Sequence, residues 1–241
     1  MSDAAPASAE SRAATIAKQL RDQILNGKYE AGERLPSERD LVGRTGANRA
    51  SVREALKQLQ QQGMIEIRRG GGARVIPLER SDLGVLQHLL SMDSPDPAIV
   101  RQWMDVWRLV LAGTTRLAVE RATDPERARA VELIAVLRRA SLGDDDFVAA
   151  GDELTALISV ASRNTVLQMV RNGLVSVFDS RRDLRRKLRP RGRVFGRLMR
   201  DIEAGVLAGD AREVSELVHE MVGRYTDMVI EGLATPPAAK S

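Results

Sequence analysis

The feature that most restricts the fold of this chain is the order of patterns in its first 76 residues. Apolar residues recur at helical spacing from Thr15 to Leu25, a short second helix follows Ser37, and a third begins at Asn48. Two short β-prone runs, 64–67 and 73–76, then flank a basic, glycine-rich turn. Three helices followed by a basic hairpin predict a winged helix-turn-helix.

Charge is distributed unevenly along the 241 residues. Residues 1–77 hold 13 Lys and Arg against 9 Asp and Glu, which accounts for the whole formal net charge of +4. A basic N-terminal module before a neutral body is the asymmetry expected when one domain meets a polyanion. With 43% hydrophobic but only 3% aromatic residues, the core is expected to be aliphatic and mostly helical.

Several classes of function are disfavoured by what the chain lacks. It has no cysteine and only two histidines, His88 and His219, so a three-histidine zinc site cannot form within one chain. The acidic run 144–146 reads as a helix N-terminus and no nucleophile–base pair is visible, so we do not expect an enzyme. Without a signal peptide or an 18-residue apolar run, the protein is expected to be cytoplasmic, with no membrane partner.

The third helix is expected to enter the major groove of DNA, because the width of that groove suits an α-helix. The candidate readers are the polar residues of its first turns: Asn48, Arg49, Ser51 and Arg53. The hairpin would add charge for phosphate or the minor groove through three arginines: Arg68, Arg69 and Arg74. Taken singly, each arginine could equally lie on a solvated face, so the prediction depends on their combination.

Residues 14–76 closely resemble the GntR family of bacterial regulators. The segments that carry the resemblance have the forms G-x-x-L-P-S-E-R-x-L, at 32–41, and R-x-S-V-R-E-A-L, at 49–56. The resemblance implies a DNA-binding transcription regulator, either a repressor or an activator. Its implied DNA contacts are Arg39, Asn48, Arg49, Ser51, Arg53, Arg69 and Gly70. Ala50 stands where a small polar residue is common, which removes one hydroxyl contact.

From residue 82 to 233 the pattern is repeatedly helical. Capping residues or prolines mark helix starts at Asp96-Pro97, Asp124-Pro125 and Gly209-Asp210. About seven helices are predicted: 82–92, 97–122, 125–140, 145–162, 164–178, 193–208 and 210–232. The predicted fold class is therefore mainly α, with a winged helix-turn-helix domain at 12–77 and an all-α bundle at 78–234.

The helical body resembles the effector-binding domain of the FadR-like branch of GntR regulators, through the segments 106–108, 161–164 and 205–210. The resemblance implies a homodimer that binds a small molecule in the helical domain. Many members hold a metal there with an aspartate and three histidines. The histidine positions here are Thr155, Met199 and Met221, and the aspartate position lies near Gly151. His219 lies about 200° around the helix from Met221, so it is no substitute, and we expect no metal or other cofactor.

Apolar replacement of metal ligands resembles the fatty-acid subgroup of this branch, which implies a long-chain acyl-CoA effector. The alternative is a small carboxylate metabolite bound without metal. Arg108 stands alone on an apolar stretch and, if buried, needs an anion: a ligand carboxylate, or an internal partner such as Glu120 or Asp152. The candidate effector contacts are Arg108, Asn164 and Tyr225. The basic segment 181–193 would meet CoA phosphates or form a solvated loop.

Overall fold

The computed structural model of the chain describes residues 9–68, 71–81, 83–92, 95–139, 141–179, 189–190 and 192–234. The chain divides into two compact units, Met1–Leu89 and Leu90–Ser241. The first is a helix-turn-helix followed by a β-hairpin, and in the second every described element is a helix. The predicted fold class is therefore confirmed.

The N-terminal unit follows the predicted order of elements. Its elements are α1 (Ala9–Leu25), α2 (Glu38–Thr45), α3 (Arg49–Gln61), β1 (Ile65–Arg68), β2 (Gly72–Val75), a 3-10 turn (Leu78–Arg80) and α4 (Leu83–Leu90). The two strands are antiparallel, with Ile65 opposite Val75. Helix α1 begins six residues before the predicted start at Thr15, because the apolar pattern marks only the part of a helix that is buried.

Local chemistry determines where α2 and α3 begin, as the sequence predicts. Ser37 caps α2 in a reciprocal capping box with Asp40. Asn48 caps α3, and its Oδ1 accepts a hydrogen bond of 2.8 Å from the backbone N–H of Ser51. Between the two helices Gly46 adopts a left-handed conformation, with φ of +64°, and its N–H donates to the carbonyl of Val42. These caps hold the two helices at a tight turn.

One hydrophobic core joins all parts of the N-terminal unit. The predicted inner face of α3 is fully buried and packs against α1. The residues of that face are Val52, Ala55, Leu56 and Leu59. Val85 of α4, only 2% exposed, belongs to the same core. For this reason the boundary between the units falls after Leu89, whereas the predicted domain boundary lies at 77/78.

The hairpin has a third extended segment beside it. The backbone N–H of Leu35 donates to the carbonyl of Ala73, and the N–H of Val75 donates to that of Glu33, both over 2.9 Å. Residues 32–35 therefore lie alongside β2, although the sequence pattern predicts a turn-rich connection there. The added hydrogen bonds fix the base of the hairpin against the helices.

The helical unit contains six described helices beyond α4. These are α5 (Pro97–Arg121), α6 (Asp124–Leu137), α7 (Asp144–Ala161), α8 (Thr165–Asp179), α9 (Arg193–Ala208) and α10 (Ala211–Ala234). Together with α4 they match the seven predicted helices. The long helices α5 and α10 pack along each other, and α6, α7 and α9 complete the bundle. None of the described helices is long and apolar enough to cross a membrane.

Candidate functional sites

Helices α2 and α3 present a basic surface. Arg39 of α2 and Arg49 in the first turn of α3 are both exposed, and neither forms an ion pair with a described residue. Arg53, one turn further along α3, is exposed as well, but its Nε lies 2.9 Å from Oε2 of Glu38. Two guanidinium groups are thus available to an external anion, and a third is held by a carboxylate on the neighbouring helix.

The two uncharged candidates, Asn48 and Ser51, lie in different surroundings. Asn48 is exposed, but its carbonyl oxygen is engaged in capping the helix, which leaves the amide N–H groups for an outside partner. Ser51 is 2% exposed and its hydroxyl is enclosed by protein. This burial corrects the expectation that the Ser51 hydroxyl contacts DNA, since residue 51 lies on the inner face of α3 next to Val52.

The described arginines of the hairpin are also engaged within the protein. Arg68 forms an ion pair of 2.7 Å with Glu66 on the same strand. Arg74 donates a hydrogen bond of 2.8 Å to the carbonyl of Gly32, which ties the hairpin to the preceding segment. This bond to a neutral carbonyl does not neutralise the guanidinium, so the phosphate contact of Arg74 stays a prediction. Arg69 and Gly70 lie outside the described residues.

Asp40 adds a negative charge to the same face of the N-terminal unit. The side-chain hydroxyl of Ser37 donates to its carboxylate over 2.7 Å, and this hydrogen bond lowers the pKa of Asp40. The carboxylate therefore stays ionised and occupied by the cap. A polyanion that approaches α2 meets Arg39 beside a carboxylate that is already hydrogen-bonded.

A cavity of about 230 Å³ lies inside the helical unit. The four positions predicted from the sequence to match the metal ligands of the FadR-like branch all line it: Gly151, Thr155, Met199 and Met221. Among the described residues there is no group of three His, Cys, Asp or Glu side chains that could hold a metal ion. Two thioethers, a hydroxyl and a glycine do not fit the metal centre of that branch.

Aromatic side chains form part of the cavity wall, which is otherwise mainly aliphatic. Four of them line it: Trp107, Phe147, Phe195 and Tyr225. The ring centroids of Phe147 and Phe195 lie 6.0 Å apart, with their planes tilted by 59°. The guanidinium of Arg189 lies over the Phe147 ring, 4.7 Å from its centroid.

Arg189 is buried and fixed by the turn between α6 and α7. Its Nη2 donates to the carbonyl of Arg139 over 3.2 Å, and its Nη1 donates to the carbonyl of Leu142 and lies 3.3 Å from Asp144. This residue belongs to the basic segment 181–193, of which 181–188 and 191 lie outside the described residues. Arg189 therefore supports the aromatic wall from behind, and is not part of a solvated loop.

Of the described residues that line the cavity, one carries a positive charge. Arg127 of α6 is half-buried, and its Nη1 donates a hydrogen bond of 2.9 Å to the carbonyl of Val206. It forms no ion pair within the described part of the chain. The guanidinium has five N–H groups, so most of its donor capacity remains for another partner.

The neighbouring Glu126 also lines the cavity, but its carboxylate is engaged elsewhere. It accepts hydrogen bonds of 2.9 Å from the backbone N–H and the hydroxyl of Thr123, and Arg163 lies 2.7 Å away. The backbone hydrogen bond from Thr123 is the main cause of a lowered pKa for Glu126. Its charge is thus satisfied at the start of α6, and among the described residues Arg127 has no carboxylate partner.

The three predicted effector contacts are not brought together. Tyr225 lines the cavity. Asn164 caps α8, where its Oδ1 accepts a hydrogen bond of 3.1 Å from Leu167 N–H, and it does not line the cavity. Arg108 also lies away from the cavity, with Nη2 3.2 Å from Asp105 Oδ1. Its internal partner is therefore Asp105, and not Glu120 or Asp152 as considered from the sequence.

Arg108 packs instead against the backbone of α10. A Cβ added at Gly223 would lie 3.0 Å from Arg108 Nη1. The cavity-lining arginine, Arg127, is a residue that the sequence reasoning missed. A signal for it exists: on α6 it falls on one helical stripe with three apolar residues that also line the cavity, Ala130, Ile134 and Leu137.

The fold defines a winged helix-turn-helix protein with an all-helical second unit. Residues 12–75 match the gntR family of bacterial regulatory proteins, and residues 102–224, about half of the chain, match the FCD domain. The chain therefore belongs to the gntR family, as a member that carries an FCD domain.

Individual relatives agree with this assignment. An HTH-type transcriptional regulator of Mycobacterium tuberculosis is 38% identical over 48% of this chain and 47% of its own length. A putative L-lactate dehydrogenase operon regulatory protein of Escherichia coli is 29% identical over 81% of this chain and 78% of its own. The galactonate operon transcriptional repressor of E. coli is 35% identical over 46% of this chain and 49% of its own length. Two of these three matches thus span about half of the relative's length.

A solved structure supports the fold over nearly the whole chain. The Listeria monocytogenes protein Lar, which controls expression of the agr system, aligns with a TM-score of 0.56. The alignment covers 91% of this chain and 96% of that one at 13% identity, so the likeness concerns the fold alone.

Proposed function

We propose that the protein is a transcription regulator that binds operator DNA through its N-terminal unit and a small carboxylic acid, without metal, through its helical unit. The observation that carries the ligand assignment is Arg127, a guanidinium that lines a mainly apolar cavity and lacks an ion-pair partner among the described residues. A half-buried cation in such surroundings is stabilised by an anion, and a carboxylate can accept two parallel hydrogen bonds from it.

For DNA, the proposed contacts begin with the exposed groups of α2 and α3. Arg39 and Arg49 would bind phosphate or guanine, and the amide N–H groups of Asn48 would face base edges. Arg53 would join them after exchanging Glu38 for a phosphate. On the family resemblance, Arg69 and Gly70 at the tip of the hairpin remain proposed contacts. A homodimer would place two α3 helices about one DNA turn apart on a pseudo-palindromic operator.

The names of two relatives support an acid as the ligand. One is a regulatory protein of an L-lactate dehydrogenase operon, and another is a repressor of a galactonate operon, and both names contain a hydroxycarboxylate. Both proteins belong to the set of regulators with which this chain shares sequence. A carboxylate of similar size is consistent with Arg127, the one cation that the described residues place in the cavity wall.

The long-chain acyl-CoA considered from the sequence has less support. Met199 and Met221 would suit an acyl chain, since apolar burial is favourable. However, the cavity of about 230 Å³ lies below the range of about 300–1,000 Å³ that is typical for drug-sized ligands. A long acyl chain with a CoA group attached is larger than such ligands. The volume therefore favours the small acid.

Control of DNA binding follows if the acid prefers one state of the protein. Ligand binding can shift the equilibrium only by the difference between its affinities for the DNA-competent and DNA-incompetent states. Binding of acid and DNA must then be coupled reciprocally. A change in operator affinity on adding acid equals the change in acid affinity on adding operator.

The test uses the purified full-length chain and a set of small acids that includes L-lactate and galactonate, with a long-chain acyl-CoA for comparison. We expect at least one acid to raise the melting temperature of the protein. The same acid should change the affinity of the protein for a DNA duplex selected from a random library. Arg127→Gln should lower the affinity of the protein for that acid about 10- to 100-fold, because a hydrogen bond to a charged group contributes about 1.5–3 kcal/mol. Arg127→Lys should retain part of the binding.

Arg129→Gln is the matched control, since Arg129 lies on the same helix but is exposed and paired with Glu132 and Glu153. It should leave acid binding unchanged. Equal acid binding by wild type and Arg127→Gln would contradict the proposed site. A response to acyl-CoA alone would contradict the proposed ligand class.

A further inference from the structure

We infer that the acid bound in this cavity is a benzenoid carboxylate, whose ring packs among the aromatic and thioether side chains of the wall and whose carboxylate binds Arg127. This inference rests on the proposed function and specifies the class of ligand. Three observations carry it: where the chain places its aromatic residues, how two of the rings are held, and the volume that they enclose.

The aromatic residues of the chain are concentrated at this cavity. The whole sequence has two Trp, two Tyr and three Phe, a fraction of 3%. Four of these seven side chains line the cavity, whereas the rest of the core is almost entirely aliphatic. Aliphatic walls would suffice for an aliphatic acid, because area-dependent burial does not require rings. Aromatic walls add a preference for a flat ring, through offset or edge-to-face contact.

Phe147 and Phe195 are held in a geometry that suits a third ring. Their planes are inclined by 59° with centroids 6.0 Å apart, which is within the range of favourable aromatic pairs. Arg189 covers one face of Phe147 and is itself fixed by the turn between α6 and α7. Such support restricts the motion of the Phe147 ring, so little side-chain entropy is lost when a ligand ring packs against it.

Two methionines complete the same wall. Met199 of α9 and Met221 of α10 line the cavity together with Trp107 and Tyr225. A thioether makes favourable contacts at the edge of an aromatic ring, and its flexible chain adapts to a planar guest. At two of the positions that the family resemblance matches to metal ligands, this chain therefore offers groups that favour a ring.

The volume fits one ring and a short acidic arm. An engineered apolar cavity of about 150 Å³ is sufficient to bind benzene. The cavity here, at about 230 Å³, leaves space for a carboxylate and one or two further atoms beside the ring. Arg127, which donates to the Val206 carbonyl at the end of α9, marks where the negative end would bind.

The experiment compares phenylacetate with cyclohexylacetate, which has the same carbon skeleton and the same charge but no π-system. Binding to the full-length chain is measured by titration calorimetry. We expect phenylacetate to bind at least about fivefold more tightly, the ratio that one favourable ring–ring contact provides. Phe147→Leu and Phe195→Leu should each move this ratio toward one while cyclohexylacetate affinity changes less.

A control variant and a neutral probe separate the possible failures. Leu198→Met changes a buried α9 residue that does not line the cavity, so it should leave the ratio unchanged. Equal affinities for the two acids, both weakened by Arg127→Gln, would overturn the benzenoid inference and leave the acid-effector proposal standing. Tight binding of benzyl alcohol, together with phenylacetate binding that is insensitive to Arg127→Gln, would overturn both. Binding of neither acid would overturn the benzenoid inference alone, because L-lactate and galactonate test the acid-effector proposal separately.

Discussion

Arg53 of α3 and Glu38 of α2 form an ion pair across the helix-turn-helix, with 2.9 Å between Nε and Oε2. Both side chains are well exposed, at 67% and 41%, and an exposed pair of this kind contributes at most about 1 kcal/mol. A phosphate can therefore replace the carboxylate at little cost. The pair keeps one of the proposed DNA contacts neutralised until DNA arrives.

Glu38→Gln should consequently strengthen binding to duplex DNA by a few-fold. The substitution frees Arg53 and removes a negative charge near the phosphates, so the gain should be larger at low salt. Fluorescence anisotropy with a labelled duplex at two salt concentrations measures the effect. Asp22→Asn, which frees Lys18 on α1, serves as control and should have less influence. Unchanged or weaker binding by Glu38→Gln would show that Arg53 does not contact DNA.

Arg49→Ala should weaken DNA binding and reduce its salt dependence. Each phosphate contact contributes about 0.9 to the slope of log K against log salt concentration, so the loss of one such contact lowers the slope by that amount. Arg49 is exposed in the first turn of α3 and makes no ion pair with a described residue. Lys18→Ala provides the comparison. If the slope is unchanged while affinity for one sequence falls, Arg49 reads a base and not a phosphate.

Thr123→Ala should destabilise the helical unit by about 1 kcal/mol, the usual cost of losing an N-cap side chain. It should also raise the pKa of Glu126, because the Thr123 hydroxyl donates to that carboxylate. A carboxyl with a lowered folded-state pKa stabilises the protein above its unfolded pKa, and this contribution is lost as the pH falls through the folded value. Urea unfolding at neutral pH and below pH 4.5 measures both effects.

The stability difference between wild type and Thr123→Ala should therefore shrink as the pH falls below the ordinary Glu value of 4.5. Thr165→Ala, at an exposed first position of α8, is the comparison and should change stability by less than about 0.5 kcal/mol. A difference that is constant over this pH range would mean that the cap hydroxyl does not control the ionisation of Glu126.

Substitution by alanine should change the stability of the protein in opposite directions at two glycines of α9. A Cβ at Gly205 would lie 2.6 Å from Cγ2 of Val214, so Gly205→Ala should push α9 from α10 and cost about 1–3 kcal/mol. A Cβ at Gly196 meets only the end of the Arg200 side chain at 3.9 Å. Gly196→Ala should therefore stabilise by about 0.4–1 kcal/mol. Thermal unfolding distinguishes the two, and a neutral Gly205→Ala would contradict the close packing of α9 on α10.

Removal of metal should have no effect. The positions that match the metal ligands of the FadR-like branch are Gly151, Thr155, Met199 and Met221, which offer no imidazole and no carboxylate. Dialysis against EDTA should leave the melting temperature and the response to acid unchanged. Added zinc should not raise the melting temperature. A marked loss of stability with EDTA, restored by a divalent metal, would contradict metal-free recognition.

The parts of the structure that the sequence predicts well are those determined by short-range chemistry. Ser37 and Asn48 cap their helices because the needed side chain and the free N–H groups lie within three residues of each other. The buried face of α3 follows from helical spacing alone. The order of helices and strands in the N-terminal unit is predictable from the sequence for the same reason.

The details that sequence alone does not predict depend on which neighbour each helix meets. Arg108 is the only arginine in its apolar stretch, yet its side chain packs against Gly223 of α10 and pairs with Asp105. Arg127 sits among exposed acids and arginines in the sequence, yet it faces the cavity. Both outcomes are set by the rotation of α5 and α6 in the bundle, which involves contacts far apart along the chain.

The scarcity of aromatic residues also provides an optical probe. Both tryptophans, Trp103 and Trp107, lie one turn apart on α5, and the N-terminal unit has Tyr29 as its single aromatic side chain. Tryptophan emission from the unlabelled protein therefore reports on the helical unit alone. Because Trp107 lines the cavity and Trp103 does not, Trp107→Phe would separate quenching by a bound ligand from changes elsewhere in α5.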